Sequence, residues 1–93
     1  MKNPMRNFFA RVLWDSQLRK ELVVVRFISR GSPKGYEEFR GSDVVSVGRD
    51  GLLIASGSQE KYIPFHRILE IRYGEREGKI VFSRELCLYD FTI

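Results

Sequence analysis

The chain has 93 residues, 43% of them hydrophobic and 30% charged, with a net charge of +4 and eleven arginines against five lysines. That length supports one core and one domain, and the arginine excess permits a phosphate or nucleic-acid partner, because a guanidinium fork matches phosphate oxygens and an ammonium does not. One cysteine and one histidine exclude an internal disulfide and a Cys/His zinc cluster, so no metal or cofactor is expected. The longest apolar run, Leu22–Val25, is far too short to span a bilayer. No secretory leader is read, and a disulfide-free chain fits a cytoplasmic setting.

Asn3-Pro4 reads as an N-cap followed by proline at the first helical position. Met5, Phe8, Phe9, Val12 and Leu13 then recur at i, i+3, i+4, i+7 and i+8, the apolar face of a helix ending near Trp14-Asp15-Ser16. Arg6 and Arg11 lie off that face, and Gln17–Lys20 leads out. Leu22–Ile28 is β-branched and reads as a strand buried on most of both faces, with Arg26 its one charged member. Arg30-Gly31-Ser32-Pro33-Lys34-Gly35 is a loop, and Tyr36–Arg40 a short strand returning from it. Gly41-Ser42-Asp43 is a turn that Asp43 can cap.

From there the pattern is antiparallel. Val44–Val47 is a short strand or turn, Gly48–Gly51 a hairpin turn ending in Asp-Gly, and Leu52–Ala55 a strand. Lys61–Phe65 and Ile68–Tyr73 are strands on either side of His66-Arg67. Gly74–Gly78 is a charged loop, and Ile80–Ser83 closes the meander. In the tail, Glu85–Ile93, one parity holds Cys87, Tyr89, Phe91 and Ile93, which fits an edge strand or a homodimer contact. Cys87 itself reads as a small buried hydrophobe. The sum is an α+β domain over residues 1–93, with a core at 5–84 and a C-terminal extension at 85–93. It has one N-terminal amphipathic helix packed on a curved antiparallel sheet of about six short strands, which can close toward a barrel.

The stretch Lys61–Tyr73 breaks its own alternation. Ile63, Phe65, Arg67, Leu69 and Ile71 share a parity, so an unbroken strand would bury Arg67 and expose Ile68. An unpaired buried guanidinium costs several kcal/mol. A bulge or a single 3₁₀ turn at Phe65-His66-Arg67 removes both problems and turns His66 and Arg67 toward the sheet rim. Pro64, which lacks an N–H, suits a strand end.

The run Ile63-Pro64-Phe65-His66-Arg67-Ile68, with Ile71 beyond it, resembles the signature of the RNA cyclic group end recognition domain, a small, mostly archaeal family. Arg30-Gly31-Ser32-Pro33 and Gly41-Ser42-Asp43-Val44 are similar to two more of its motifs, as is the amphipathic opening that ends in Leu13-Trp14-Asp15. The resemblance covers roughly residues 5 to 84. Ser29 and Phe82 depart from it, at positions where many members carry histidine and tryptophan, and the Gly74–Gly78 loop is longer than usual. The resemblance implies recognition of RNA 3′ ends bearing a 2′,3′-cyclic phosphate, alongside RNA repair and processing enzymes as partners.

The residues give each candidate two readings. His66 donates to a phosphate, or fixes the kink through backbone carbonyls. Arg67 and Arg30 clamp an oxyanion from two sides, or pair with Glu70, Asp43 or another surface carboxylate. Lys34 screens an RNA backbone, or is a solvated loop cation. Gly31, Ser32 and Gly35 form an anion-binding nest, or a plain turn. Ser42-Asp43 orients the His66 ring, or caps its turn. Tyr36, Tyr62 and Phe65 are candidates to stack bases, with Phe65 the one expected in the core. General acid–base opening of a cyclic phosphate ordinarily needs two proton-transfer groups. With one histidine, which would be the catalytic residue of an end-processing phosphoesterase, a binding module is favoured. A protein-interaction module using the tail strand is the remaining alternative.

Overall fold

The computed structural model describes residues 4–75 and 78–89. Helix α1 (Pro4–Trp14) forms on the expected periodicity and buries Phe8, Phe9 and Val12, with Met5 and Leu13 packed at the margin of the core. Proline opens it, where its missing N–H is no loss; the expected Asn3 cap lies outside the described residues. The connection that follows is tighter than the sequence suggests. Asp15 Oδ1 accepts the Gln17 N–H at 2.9 Å, Leu18 is buried, and Lys20–Leu22 make a 3₁₀ turn before the first strand.

Eight strands are described: β1 (Val23–Ile28), β2 (Tyr36–Arg40), β3 (Val44–Val47), β4 (Gly51–Ser56), β5 (Gln59–Pro64), β6 (Ile68–Tyr73), β7 (Lys79–Ser83) and β8 (Leu88–Tyr89). They do not close into one barrel. They form a five-stranded sheet, β2-β1-β6-β7-β8, and a three-stranded sheet, β3-β4-β5, and every pairing is antiparallel. The three-stranded meander is inserted between β2 and β6, so β6 returns to pair with β1 over a long sequence separation. The tail supplies the expected edge strand as β8, paired with β7 of the same chain; Phe91 and Ile93 lie outside the described residues. Cys87 is exposed with a φ of 53°, so it sits in the turn before β8 and not in the core.

Strand β1 is more one-sided than its run of valines implies: Val23, Val25 and Phe27 are buried, while Val24 and Arg26 are half-covered. Its inward residues join Ile68, Ile71, Val81 and Phe82 from the same sheet, Leu52, Ile54 and Ile63 from the other, and the helix face in a single cluster. Aromatic rings tie the layers together. Phe9 of the helix stacks on Phe65 with centroids 6.2 Å apart and planes 3° from parallel, and lies 6.5 Å from Phe39 of β2. Each ring taken out of water contributes roughly 1.5–3 kcal/mol.

Gly41 shows how closely the connections pack. A Cβ there would stand 2.6 Å from the Lys20 carbonyl oxygen and 2.9 Å from the Val23 Cβ. The obstacle is backbone and cannot swing aside, so Gly41→Ala is expected to cost about 1–3 kcal/mol of stability. Urea denaturation checks this; an unchanged midpoint would mean the two short turns separate freely.

Candidate nucleic-acid interface

Phe65–Arg67 form a single 3₁₀ turn between β5 and β6. Its first residue anchors it: the Phe65 N–H donates to the Asp50 carbonyl at 2.9 Å, and the ring is buried against Phe9. The next two residues, His66 and Arg67, are exposed, and Ile68 is buried again. A second device completes the change of parity. Arg26 pairs with Glu70 while Phe27 pairs with Ile68, so Leu69 is the extra residue of a β-bulge. Turn and bulge together let Phe65, Ile68 and Ile71 all face inward while Arg67 stays in water, which removes the cost of burying its charge.

Strand register decides what surrounds this turn. Ile28 pairs with Tyr36, Phe27 with Ile68 and Glu70 with Ser83, and the Arg84 N–H donates to the Leu69 carbonyl at 2.9 Å. The loop 29–35, the turn 65–67 and the chain after Ser83 therefore leave the five-stranded sheet at one end. That end carries Arg30, Lys34, His66, Arg67 and Arg84, all exposed. Among the described residues none of these four cations makes an ion pair, and His66 makes no side-chain hydrogen bond. The two carboxylates named as alternative partners for Arg30 and Arg67 are engaged otherwise. Glu70 Oε2 lies 2.9 Å from Arg72 Nε, and Asp43 Oδ2 accepts the Arg40 N–H at 3.0 Å.

The remaining candidates divide. Gly31, Ser32 and Lys34 lie in the loop at this end. The Ser32 N–H donates to the Ser29 carbonyl at 3.3 Å and the Gly35 N–H to the Ser32 carbonyl at 3.0 Å, so two of the three amides read as a nest are committed to the turn. Gly35, at φ +81°, is the position there that needs glycine. At the loop's base, the Ser29 hydroxyl donates to Glu37 Oε2, and Lys61 Nζ stands 3.5 Å from the same oxygen. The hydroxyl, and then the lysine, hold the Glu37 carboxyl below its usual range. Ser42 and Asp43 are not brought to His66. Val24 pairs with Arg40, so their turn follows β2 at the opposite end of the sheet, and Asp43 caps that turn. Tyr62 is exposed on β5 of the smaller sheet, and Phe65 is core.

Tyr36 begins β2 at the cationic end, and the Arg26 guanidinium lies 4.3 Å over its ring. Arg26 in turn pairs with Glu38 at 3.0 Å; that hydrogen bond holds the guanidinium pKa above its ordinary value. The residue that sequence reading misses is Arg84. Its only signal is that it follows the last strand of a meander, which must end where β6 begins. Among the described residues no group of three or more His, Cys, Asp and Glu could hold a metal ion, and no helix is long and apolar enough to cross a membrane.

The molecule is thus a small two-sheet α+β domain with a cationic rim at one sheet end, built around an exposed His-Arg turn. The chain belongs to the MJ1316 RNA cyclic group end recognition domain family, whose model matches residues 1–84. It is 44% identical over 80 residues to a UPF0248 protein of Pyrobaculum islandicum, covering 86% of this chain and 88% of that one. It is 39% identical over 80 residues to a UPF0248 protein of Pyrobaculum aerophilum, covering 86% and 97%. A UPF0248 protein of Archaeoglobus fulgidus is 42% identical over 62 residues, 67% of this chain and 83% of its own. No solved structure matches.

Proposed function

We propose that this chain is an RNA-binding module for 3′ termini carrying a 2′,3′-cyclic phosphate, gripped at the cationic sheet end. The observation that carries the reading is the convergence, by strand register, of Arg30, Arg67, Arg84 and Lys34, which make no ion pair among the described residues, with the exposed His66 ring. The family's description, RNA cyclic group end recognition, supports the same assignment. A cyclic phosphodiester presents two non-bridging oxygens and one negative charge. A guanidinium fork matches that pair of oxygens in plane, and His66 can add a third donor. Binding suits this arrangement better than turnover, because the chain has one histidine and a ring opening draws on two proton-transfer groups.

The test compares one oligoribonucleotide with three ends: cyclic phosphate, 3′-monophosphate and 3′-hydroxyl. Fluorescence anisotropy at fixed salt is expected to rank the cyclic end tightest, by about tenfold or more over the hydroxyl. Equal affinity for cyclic and hydroxyl ends would overturn the reading. Tighter binding of the monoester would show a rim that counts charge and ignores the ring.

A further inference from the structure

Beside the cationic rim, on the outer face of the five-stranded sheet, runs a groove of about 370 Å³ lined by Arg26, Tyr36, Leu69, Glu70, Arg84 and Glu85 among others. Its size falls in the lower part of the ~300–1,000 Å³ range of small-molecule sites. The β-bulge produces it: Leu69, the extra residue, is half-buried and supplies an apolar floor. One wall holds a planar pair already in place, the Arg26 guanidinium 4.3 Å over the Tyr36 ring, fixed by the ion pair to Glu38. Planar aromatic and guanidinium surfaces are what unstacked RNA bases rest on. The rest of the boundary is unusual for an RNA surface, because it includes two carboxylates. Glu70 is occupied by Arg72, while Glu85 makes no ion pair among the described residues.

An ionised carboxylate only accepts hydrogen bonds. On its Watson–Crick edge guanine offers two adjacent donors, N1–H and the N2 amino group; adenine, cytosine and uracil each set an acceptor beside their donor. We infer that this groove is a nucleobase subsite selective for guanine, with the base stacked against the Arg26–Tyr36 pair and its N1–H and N2 amino group donating to Glu85. The inference rests on the end-binding reading for its context: Arg84 joins the groove to the rim, its N–H bonded to the Leu69 carbonyl at 2.9 Å, so an RNA end held at Arg67 lays a nucleotide along it. Arg84, which makes no ion pair among the described residues, lines the groove beside Glu85 and offsets its charge.

The experiment uses the full chain and oligonucleotides of one length ending in G, A, C or U, each with a cyclic-phosphate and with a 3′-hydroxyl terminus. Anisotropy is expected to show G-ended RNA bound at least about tenfold tighter than the others, the size of one good bidentate discrimination. Glu85→Gln should remove most of that advantage and leave the preference for the cyclic end in place. Glu85 is exposed, so the variant should keep the parent's denaturation midpoint. Four bases bound alike, or a G advantage that Glu85→Gln does not touch, overturns the subsite. A G advantage with cyclic and hydroxyl termini bound equally tightly leaves the subsite standing and removes the cyclic-end reading. As a second measurement, guanosine 2′,3′-cyclic monophosphate should shift the amide resonances of Tyr36, Leu69 and Glu85. Shifts confined to other faces of the molecule would overturn the placement.

Discussion

Replacing Phe65 with alanine is expected to lower the unfolding free energy by about 3–5 kcal/mol, the largest loss of any change at the candidate site. The side chain is the internal half of the turn whose external half is His66-Arg67. Its ring stacks on Phe9, and its N–H is bonded to Asp50, so truncation opens a cavity where helix, turn and both sheets meet. Small domains are stable by only about 5–15 kcal/mol in total, so Phe65→Ala is expected to be partly unfolded at physiological temperature. Phe65→Leu, with an expected loss of about 1–2 kcal/mol, then separates anchoring from folding. It should remain folded yet bind RNA ends more weakly, because His66 and Arg67 lose a fixed base. Urea denaturation of both variants, with anisotropy on the leucine form, checks this. A loss under about 1 kcal/mol for the alanine form would show that the turn is held by its neighbours and not by this ring.

The turn was legible in the sequence because it violates a rule with a large penalty. Alternation would have put Arg67 among Ile63 and Ile71, and burial of a lone guanidinium is too costly to stand, so a break between Phe65 and Ile68 follows from one segment alone. The bulge at Leu69 was not legible, since it exists only in the pairing of β6 with β1, and nothing local in Ile68–Tyr73 specifies that partner. The same limit explains the two sheets. Short strands of similar composition do not state which neighbours they choose, and the insertion of β3-β4-β5 between β2 and β6 is a long-range decision. It also explains Asp43. Gly41-Ser42-Asp43 reads correctly as a turn, but a turn motif carries no information about the end of the sheet on which it lies. Register places it away from His66 and brings in Arg84 instead.

The largest functional effect is expected at Arg67. It is exposed on a turn fixed by a buried neighbour, and it has no carboxylate partner among the described residues, so its donors are available without breaking an ion pair. A hydrogen bond between charged groups contributes about 1.5–3 kcal/mol. Arg67→Ala should therefore weaken binding of cyclic-phosphate RNA by roughly 10- to 150-fold. Binding of 3′-hydroxyl RNA should change little, which collapses the preference. Arg67→Lys should restore only part of it, because an ammonium keeps the charge and loses the fork. Losing one phosphate contact on a single strand should also flatten the dependence of log K on log salt by about 0.7. Two comparisons keep the result interpretable. Stability should stay within about 0.5 kcal/mol of the parent, as for surface substitutions generally. Lys20→Ala, in the turn preceding β1 at the other end of the sheet, should leave the preference intact. If Arg67→Ala instead weakens both kinds of end by the same factor, Arg67 merely screens the RNA backbone, and the recognition of the terminus must be sought at Arg30 or Arg84, on the same rim.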